Sequence, residues 1–317
     1  MTDTSLPRTT AAATSALPAD QSRLEAWADK LNVSRRTLIV GIVLPMISLI
    51  VIATTFFVAP TDQRMLIILS SLVAVGAGLA SASVGVYGGV LVPGLLLLGI
   101  DVRFVAALSL FLQLGVIPIA AGSHYRLGHV SRSLVVPLLI GGMAGAFAGP
   151  FLAALLPKEL IARLVAVLII GVGLVVMANQ RIRGLGQVRA EDDVPTAAVA
   201  GIGAVAGFSS GVSGAGWGPL GVTSMILARI DPRQAIGSSL VARIFMALSA
   251  VVGFLLAQSA FHNADANWWI VIPLFAGSIA PMIAGAMLLS RLGRERATVA
   301  ITLLSISLAL PTLIFGH

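Results

Sequence analysis

The seven residues SGAGWGP (Ser213–Pro219) have a counterpart 130 positions earlier, SVGVYGG (Ser83–Gly89), and this pair organises the rest of the chain. Identical residues continue to coincide at a shift of 130 and then of 136: Ile100 and Asp101 with Ile230 and Asp231, Arg103 with Arg233, Ser109 with Ser239, Pro137 with Pro273, Gly141 with Gly277, Gly149 with Gly285, and Glu159 with Glu295. An ordered series of this length predicts an internal duplication. We call residues 83–89 the first tip and residues 213–219 the second tip.

The composition predicts a polytopic helical membrane protein. Of 317 residues, 57% are hydrophobic and only 10% are charged, and the mean hydropathy is +1.00. Soluble domains contain about 45–50% apolar and about 25% charged residues, and several apolar runs exceed the roughly 18 residues that span a bilayer. The net charge of +7 does not indicate nucleic-acid binding, because the basic residues lie in short loops between apolar segments. The absence of cysteine excludes disulfides, thiolate metal sites and thiol catalysis.

The duplication sets the expected boundaries of the chain. They are a cytoplasmic tail with a surface helix over 1–33, a first transmembrane helix over 34–60, a first half over 61–179, a cytoplasmic linker over 180–194 and a second half over 195–317. In each half, a helix at about 64–81 or 195–210 runs into the tip, and a short apolar stretch follows. Asp101 and Asp231 then fit the N-cap position of the next helix. Three long helices complete each half, at about 102–122, 132–155 and 159–179, and at about 232–258, 268–289 and 295–315.

Loop charges predict that the two halves insert in opposite directions. The loop after the first long helix is basic in the first half, HYRLGHVSR (His124–Arg132), whereas its counterpart QSAFHNADAN (Gln258–Asn267) has no Lys or Arg. Since basic loops stay in the cytoplasm, this inversion requires an odd number of crossings per half, which the three long helices supply.

The short apolar stretch after each tip is too short to cross the bilayer. About eleven residues rise only about 16 Å as a helix, so we predict that each tip belongs to a re-entrant hairpin, as in transporters built from inverted repeats. This scheme has seven full crossings, a cytoplasmic N-terminus and an external C-terminus. The alternative, in which both arms of each hairpin cross, also keeps the number of crossings odd but needs a very short span.

One fixed charge, Arg243, lies near the middle of a predicted transmembrane helix. Its counterpart at the shift of 130 is Gln113, and Ser239 and Ser109 lie one helical turn before them on the same faces. An arginine at the bilayer centre costs several kcal/mol, about 2.5 at the least, and no Asp or Glu falls near the predicted midplane. Two interpretations stand: a mobile anion is the counter-ion of Arg243, or helix-end carbonyls satisfy its guanidinium. A guanidinium fork suits oxyanions because it donates two parallel hydrogen bonds.

The tips add unpaired backbone donors to this site, because glycine clusters break helices and free their N–H groups. Two helix N-termini directed at one point favour an anion, although glycines also serve plain helix packing in membranes. The string GVSG (Gly211–Gly214) matches the serine motif of rhomboid-type intramembrane proteases. Such chemistry needs a histidine base beside the serine, and the histidines lie in predicted loops or at the terminus, so we predict no enzyme activity and no cofactor.

The two tips, followed by GIDVRFVAALSL (Gly99–Leu110) and RIDPRQAIGSSL (Arg229–Leu240), resemble the TauE/SafE family, also called the toluenesulfonate uptake permease family. The resemblance covers about residues 64–315 and implies transport of sulfur-containing anions such as sulfite, thiosulfate or sulfoacetate, often outward. The glycine-rich signatures of the family fall at Gly85, Gly88, Gly89 and Pro93, then at Gly211, Gly214, Gly216 and Gly218. Here Tyr87 and Trp217 interrupt the glycines, and Thr223 replaces the second proline, which favours a substrate with an organic substituent.

The sequence therefore predicts an all-α membrane transporter for small anions, most of all sulfur oxyanions or organosulfonates. It is expected to work by alternating access around a midplane site, with export as the expected direction. Its expected partners are a small anionic solute and the lipid bilayer, and homo-oligomerisation stays open. An anion channel of similar architecture and a carrier for small carboxylates are the alternatives. The predicted substrate-binding residues are Arg243, Gln113, Ser109, Ser239, Ser83, Gly85, Tyr87, Gly88, Ser213, Gly214, Gly216 and Trp217.

Overall fold

The computed structural model describes residues 35–84, 86–126, 128–181, 194–215, 217–257, 267–292 and 294–315, and these residues are almost entirely helical. The predicted tail, most of the predicted linker and the residues Gly85 and Gly216 lie outside them. The α-helices are α1 Arg35–Val58, α2 Arg64–Val84, α3 Gly88–Leu96, α4 Val102–Arg126, α5 Arg132–Leu155, α6 Lys158–Arg181, α7 Thr196–Ser213, α8 Thr223–Leu227, α9 Pro232–Leu256, α10 Val271–Leu292 and α11 Arg294–Phe315. Short 3-10 turns occur at Thr61–Gln63 and Trp268–Ile270, and a single π-helical turn at Gly218–Val222.

Six stretches in the described residues are long and apolar enough to cross a membrane. They lie at Gly41–Val58, Thr61–Ser81, Val102–Arg126, Arg132–Leu155, Thr196–Ser213 and Arg233–Leu256. Large apolar side chains such as Leu49, Phe57 and Leu72 are more than 60% exposed, as expected where lipid rather than water covers the surface. The chain divides into two compact units, Met1–Val43 and Leu44–His317, and the contacts below lie within the second unit.

The two halves pack by the same rule. Helix α2 of the first half packs against α10 of the second, and the corresponding α7 packs against α5 of the first half. The corresponding helices α4 and α9 pack against each other, and so do α6 and α11. The first helix of each half therefore packs against a helix of the other half, and the two halves share one core.

Glycines allow α5 and α7 to pack with their backbones in direct contact. Gly141, Gly145 and Gly149 repeat every four residues on α5, and an added Cβ on each would clash with α7 backbone atoms. On α7, Gly203, Gly207 and Gly211 repeat at the same spacing, and their added Cβ atoms would clash with α5. This close packing of small residues is the usual way in which transmembrane helices associate.

Asp101 and Asp231 are N-caps, as the sequence predicts. The Asp101 carboxylate accepts hydrogen bonds from the N–H groups of Arg103 (2.8 Å) and Phe104 (3.3 Å). Asp231 accepts the corresponding bonds from Arg233 (2.8 Å) and Gln234 (3.3 Å). Both caps satisfy N–H groups that a helix leaves without partners in its first turn, so α4 and α9 begin in the same way.

The equivalence extends to the backbone just before these caps. Gly99 has a φ of 77° and Arg229, its counterpart at the shift of 130, has a φ of 66°. Both residues adopt the left-handed conformation, which costs a non-glycine residue roughly 1–2 kcal/mol. The turn between the short helical segment and the long helix thus has the same shape in both halves, although only one of them has glycine there.

The segments around the tips are irregular, as the sequence predicts, but the first arms are longer than expected. Helix α2 has 21 residues and α7 has 18, enough to rise about 31 Å and about 27 Å. The segment after the first tip is only the 9-residue helix α3, and the second tip continues into the π-helical turn and the 5-residue helix α8. Only the short segment after each tip therefore supports a re-entrant hairpin. Both the re-entrant hairpins and the inversion of the halves stay predictions.

Candidate functional site

The two tips meet in the interior of the protein. An added Cβ on Gly88, at the first tip, would lie 2.5 Å from the Gly214 carbonyl oxygen and 2.6 Å from Ala215 Cα, both at the second tip. Gly214 has a φ of 69° and ends α7 as a left-handed C-cap, with its N–H donated to the Ser210 carbonyl at 2.7 Å. An added Cβ there would lie 2.7 Å from Ala106 Cα in α4. Only glycine fits both positions, because the backbones touch.

Arg243 and Gln113, the polar pair predicted from the shift of 130, are in direct contact beside this junction. Arg243 Nη2 donates a hydrogen bond to Gln113 Oε1 at 2.5 Å. The Gln113 amide nitrogen faces three oxygens, those of the Ser109 carbonyl (3.1 Å), the Ser109 hydroxyl (3.3 Å) and the Gly214 carbonyl (3.4 Å). Because the amide nitrogen is directed at these acceptors, the amide oxygen is fixed toward the guanidinium. Both side chains are buried, with 5% and 3% of their surfaces exposed.

The two predicted serines differ in what they bind. Ser109 donates its hydroxyl to the Gly214 carbonyl at 3.0 Å, so α4 holds the second tip through two side chains. Ser239 donates its hydroxyl to the Ile236 carbonyl of its own helix at 2.8 Å. Both serines are buried, and of the two it is Ser109 whose hydroxyl bonds to the tip of the opposite half.

Tyr87 and Trp217, the aromatic residues of the tips, are both fully or almost fully buried. The Tyr87 hydroxyl lies 2.7 Å from the Ser278 hydroxyl of α10, which donates onward to the Leu274 carbonyl at 2.7 Å. The Trp217 indole nitrogen is buried and has no hydrogen-bond partner among the described residues. Its ring lies over Gly221, where an added Cβ would be 2.9 Å from the indole carbon Cε2.

Ser213 stabilises the turn of the second tip. Its hydroxyl donates to the Ser209 carbonyl at 2.6 Å and accepts the Ala215 N–H at 3.1 Å. This position belongs to the protease-like string GVSG, and the recorded bonds of its hydroxyl go to the backbone. Of the remaining predicted residues, Ser83 lies in the last turn of α2, but its side chain is not among the described parts of the structure. Gly85 and Gly216 lie outside the described residues.

Two cavities occur elsewhere in the described part of the molecule. One, of about 510 Å³, lies at the ends of the helices and includes Asp101, Lys158, Glu159 and Asn267 in its wall. The other, of about 430 Å³, is apolar and lies between α6 and the segment that follows the π turn, beside Leu220, Thr223 and Ser224. Neither cavity includes Arg243 or Gln113 in its wall, and both of these side chains are buried.

Sequence reasoning missed Ser278, which binds the tyrosine of the first tip, and Ala106, against which Gly214 packs. A signal for Ser278 exists, because it is a single polar residue within the apolar run Val271–Pro281 of α10. Ala106 carries no such signal, since an alanine in an apolar helix is ordinary. In the described residues no three His, Cys, Asp or Glu side chains come together as a metal site.

The comparisons with known proteins agree with this architecture. The family described as "Sulfite exporter TauE/SafE" matches residues 69–311. A protein of Bacillus subtilis (strain 168), "Probable membrane transporter protein YtnM", is 32% identical over 216 residues, which cover 65% of this chain and 69% of that protein. No solved structure matches the chain. The family match covers most of the chain, including both tips and Arg243: the chain belongs to the sulfite exporter TauE/SafE family of membrane transporters.

Proposed function

We propose that this transporter carries small sulfur-containing oxyanions or organosulfonates and that Arg243 is the residue that binds their charge. The observation that carries the proposal is the hydrogen bond from Arg243 to Gln113 at the junction of the two tips. It joins corresponding positions of the two halves and holds a guanidinium in the buried interior. A guanidinium presents five donors in a fixed fork, and this geometry matches the oxygens of a sulfonate or sulfite.

The distribution of acidic residues supports an anionic substrate. Within the described α-helices, Asp and Glu occur only at Glu159 and Glu295, each in the first turn of its helix. The helix interiors therefore contribute a positive charge without a carboxylate of their own. An oxyanion bound at the junction would be attracted to Arg243, and burial would strengthen this attraction because the local dielectric constant is low.

Alternating access between two oppositely directed halves is the mechanism that we propose. Its support is the grouping of loops at the two ends of the molecule. Asn267 donates to the Gln63 side chain at 2.5 Å, and Lys158 pairs with Asp101, all four at positions predicted to be external. The residues at the other end are predicted to be cytoplasmic.

At that cytoplasmic end, Ser131 donates its N–H to the Ser238 hydroxyl at 3.0 Å, and His129 packs against Gly237. Single cysteines at Tyr125 and Trp269 test the scheme, because both side chains are exposed and the chain has no cysteine of its own. An impermeant thiol reagent added to intact cells should label the variant Trp269→Cys and spare the variant Tyr125→Cys. Labelling of both from the same side would overturn the inversion of the halves.

Ligand binding tests the substrate class. The melting temperature of the purified protein is measured with sulfite, thiosulfate, sulfoacetate, acetate and chloride, because a ligand at 100 times its Kd stabilises by about 2.7 kcal/mol. The sulfur oxyanions should stabilise the wild type, and the variant Arg243→Gln should lose this effect. Arg233→Gln is the matched control, since it removes an exposed arginine from the first turn of the same helix. Equal stabilisation of wild type and Arg243→Gln would remove Arg243 from the site.

We propose export as the physiological direction. Each negative charge that leaves a cell with an inside-negative potential gains about 2.3 kcal/mol per 100 mV, so a dianion needs no proton or sodium ion to drive it. In proteoliposomes, efflux should rise as the inside is made more negative and should persist without an ion gradient. Efflux that requires a proton or sodium gradient at zero potential would contradict this energetic scheme.

A further inference from the structure

The aromatic residues of the two tips occupy corresponding positions but differ in their hydrogen bonding. Tyr87 uses its hydroxyl to bind Ser278 at 2.7 Å, so the first tip is anchored to α10. Trp217, its counterpart at the shift of 130, is 2% exposed, and its indole N–H has no partner among the described residues. An unpaired buried donor costs about 1–3 kcal/mol, so the difference between the tips calls for a physical reason.

Two residues explain why Trp217 is not anchored as Tyr87 is. At the shift of 136 the counterpart of Ser278 is Gly142, which offers no hydroxyl, and the side chain of Met246 lies against it. At the shift of 130 the counterpart of Leu91 is Gly221, and the absence of a side chain there lets the indole lie flat over its own helix. The second tip therefore lacks a hydroxyl at the position that corresponds to Ser278, and Gly221 leaves space for the ring instead.

The backbone around Trp217 differs from that of the first tip as well. It is followed by the π-helical turn Gly218–Val222 where the first half has the regular helix α3. Turns of this kind are rare and often occur at functional sites. The π turn packs against α9, which carries Arg243, and Gly214, three residues before Trp217, accepts the hydrogen bonds of Ser109 and Gln113. The unpaired donor thus belongs to the same junction as the guanidinium.

We infer that the Trp217 indole N–H is a binding donor for the transported anion and makes the site selective for sulfonate-type head groups. This inference rests on the proposed function. A sulfonate has three oxygens, so two can engage the Arg243 fork while the third accepts from Trp217. A carboxylate has two oxygens in one plane, so a further donor must share an oxygen that the fork already engages, whereas a sulfonate offers a third oxygen outside that plane.

Methanesulfonate and acetate are the probes that isolate this effect, because they share a methyl group and differ only in the head group. The affinity of each is measured from the concentration dependence of the melting temperature. Replacing Trp217 by 3-benzothienylalanine, in which sulfur takes the place of the indole N–H, removes the donor and keeps the shape of the ring. Trp217→Phe is a second, genetically simpler variant, and Tyr87→Phe is the matched control at the other tip.

The benzothienyl variant should bind methanesulfonate about 10- to 100-fold more weakly, as expected for the loss of a hydrogen bond to a charged group. Its affinity for acetate and its melting temperature without ligand should stay at the wild-type values, since no internal hydrogen bond is lost. Tyr87→Phe should instead lower the melting temperature without ligand, because it loses the hydrogen bond to Ser278.

Three results would overturn the inference, and they separate it from the proposed function. Unchanged methanesulfonate affinity in the benzothienyl variant would reject Trp217 as a donor while Arg243 kept its role. An equal loss for acetate and methanesulfonate would reject the selectivity for three oxygens. A wild type that responds to neither probe nor to the sulfur oxyanions would reject the proposed function, and the inference with it.

Discussion

Helices α4 and α9 occupy corresponding positions of the two predicted repeats, yet they contact the junction of the tips differently. In α4, Ser109 and Gln113 both reach the Gly214 carbonyl of the opposite half. In α9, Ser239 binds its own helix, and Arg243 reaches across to Gln113. One helix makes the polar contacts that hold a tip, and the other carries the charge. The two halves thus have a similar arrangement of helices, and they differ at a few positions beside the junction.

The tips repeat this division of roles. Gly214, which ends α7 in a left-handed conformation, corresponds to Val84 at the end of α2. Tyr87 is anchored by Ser278, whereas the indole N–H of Trp217 is unpaired in the described structure. The first tip is therefore held by a side chain, and the second tip is held by its backbone, which leaves an aromatic donor available there.

The largest expected effect is on the backbone of the second tip. Gly214→Ala should destabilise the protein by about 2–5 kcal/mol, the sum of a left-handed alanine and of overpacking against Ala106. Gly201→Ala on the same helix is the control, because an added Cβ there meets nothing within 4 Å, and it should be neutral or slightly stabilising. Thermal unfolding in detergent measures both, and similar melting temperatures for the two variants would show that Gly214 does not pack against α4 in a left-handed turn.

Exchanging the charge between the halves tests whether the two positions form one site. Arg243→Gln alone should weaken sulfite binding about 30-fold or more, the usual cost of removing one partner of a buried charged hydrogen bond. The double variant Gln113→Arg/Arg243→Gln keeps both side chains at the junction in exchanged places and should regain part of the lost affinity. A double variant no better than Arg243→Gln would show that only α9 can present the charge.

Removing the serine hydroxyls should distinguish α4 from α9 by a smaller difference in stability. Ser109→Ala should cost about 1 kcal/mol of stability because it removes a hydrogen bond between the halves. Ser239→Ala should cost less, because its hydroxyl binds a carbonyl within its own helix. Chemical or thermal denaturation gives both values, and an equal or larger loss in Ser239→Ala would mean that α9 also holds a tip.

The smallest effect concerns the turns before the long helices. Arg229→Gly should stabilise the protein by about 0.5–1 kcal/mol, because relief of the left-handed strain exceeds the entropy that glycine adds to the unfolded chain. The corresponding turn of the first half already has a glycine, Gly99, in the left-handed conformation. The variant Gly99→Ala should therefore be destabilising. A loss of stability in Arg229→Gly would show that the arginine side chain contributes more than its backbone costs.

The sequence was sufficient for the features that depend on chemistry repeated at a fixed shift. The N-caps Asp101 and Asp231 are of this kind. The shift also placed Gln113 and Arg243 at corresponding positions of one site, but their direct hydrogen bond was not predicted, since the expected partners of Arg243 were an anion or helix-end carbonyls. The sequence also predicted the membrane-spanning character, since composition alone decides which solvent the helices face.

Other features depend on three-dimensional contacts that no periodicity encodes. Arg103 donates to the carbonyls of Ala153, Ala154 and Leu156 at the end of α5, where the sequence indicated only a basic residue near a boundary. The different hydrogen bonding of Tyr87 and Trp217 depends on Ser278 and on its counterpart Gly142, which lie far from the tips in sequence. The lengths of α2 and α7 were underestimated because the glycines near their ends read as helix breakers.

Counterflow in proteoliposomes tests the central claim most directly. Vesicles loaded with unlabelled sulfite or sulfoacetate are placed in labelled substrate, and uptake is followed for the wild type, Arg243→Gln and the control Arg233→Gln. The account predicts saturable uptake that internal substrate accelerates, retained in Arg233→Gln and lost in Arg243→Gln. Uptake that does not saturate, ignores internal substrate and persists in Arg243→Gln would identify a channel and place the anion pathway away from Arg243.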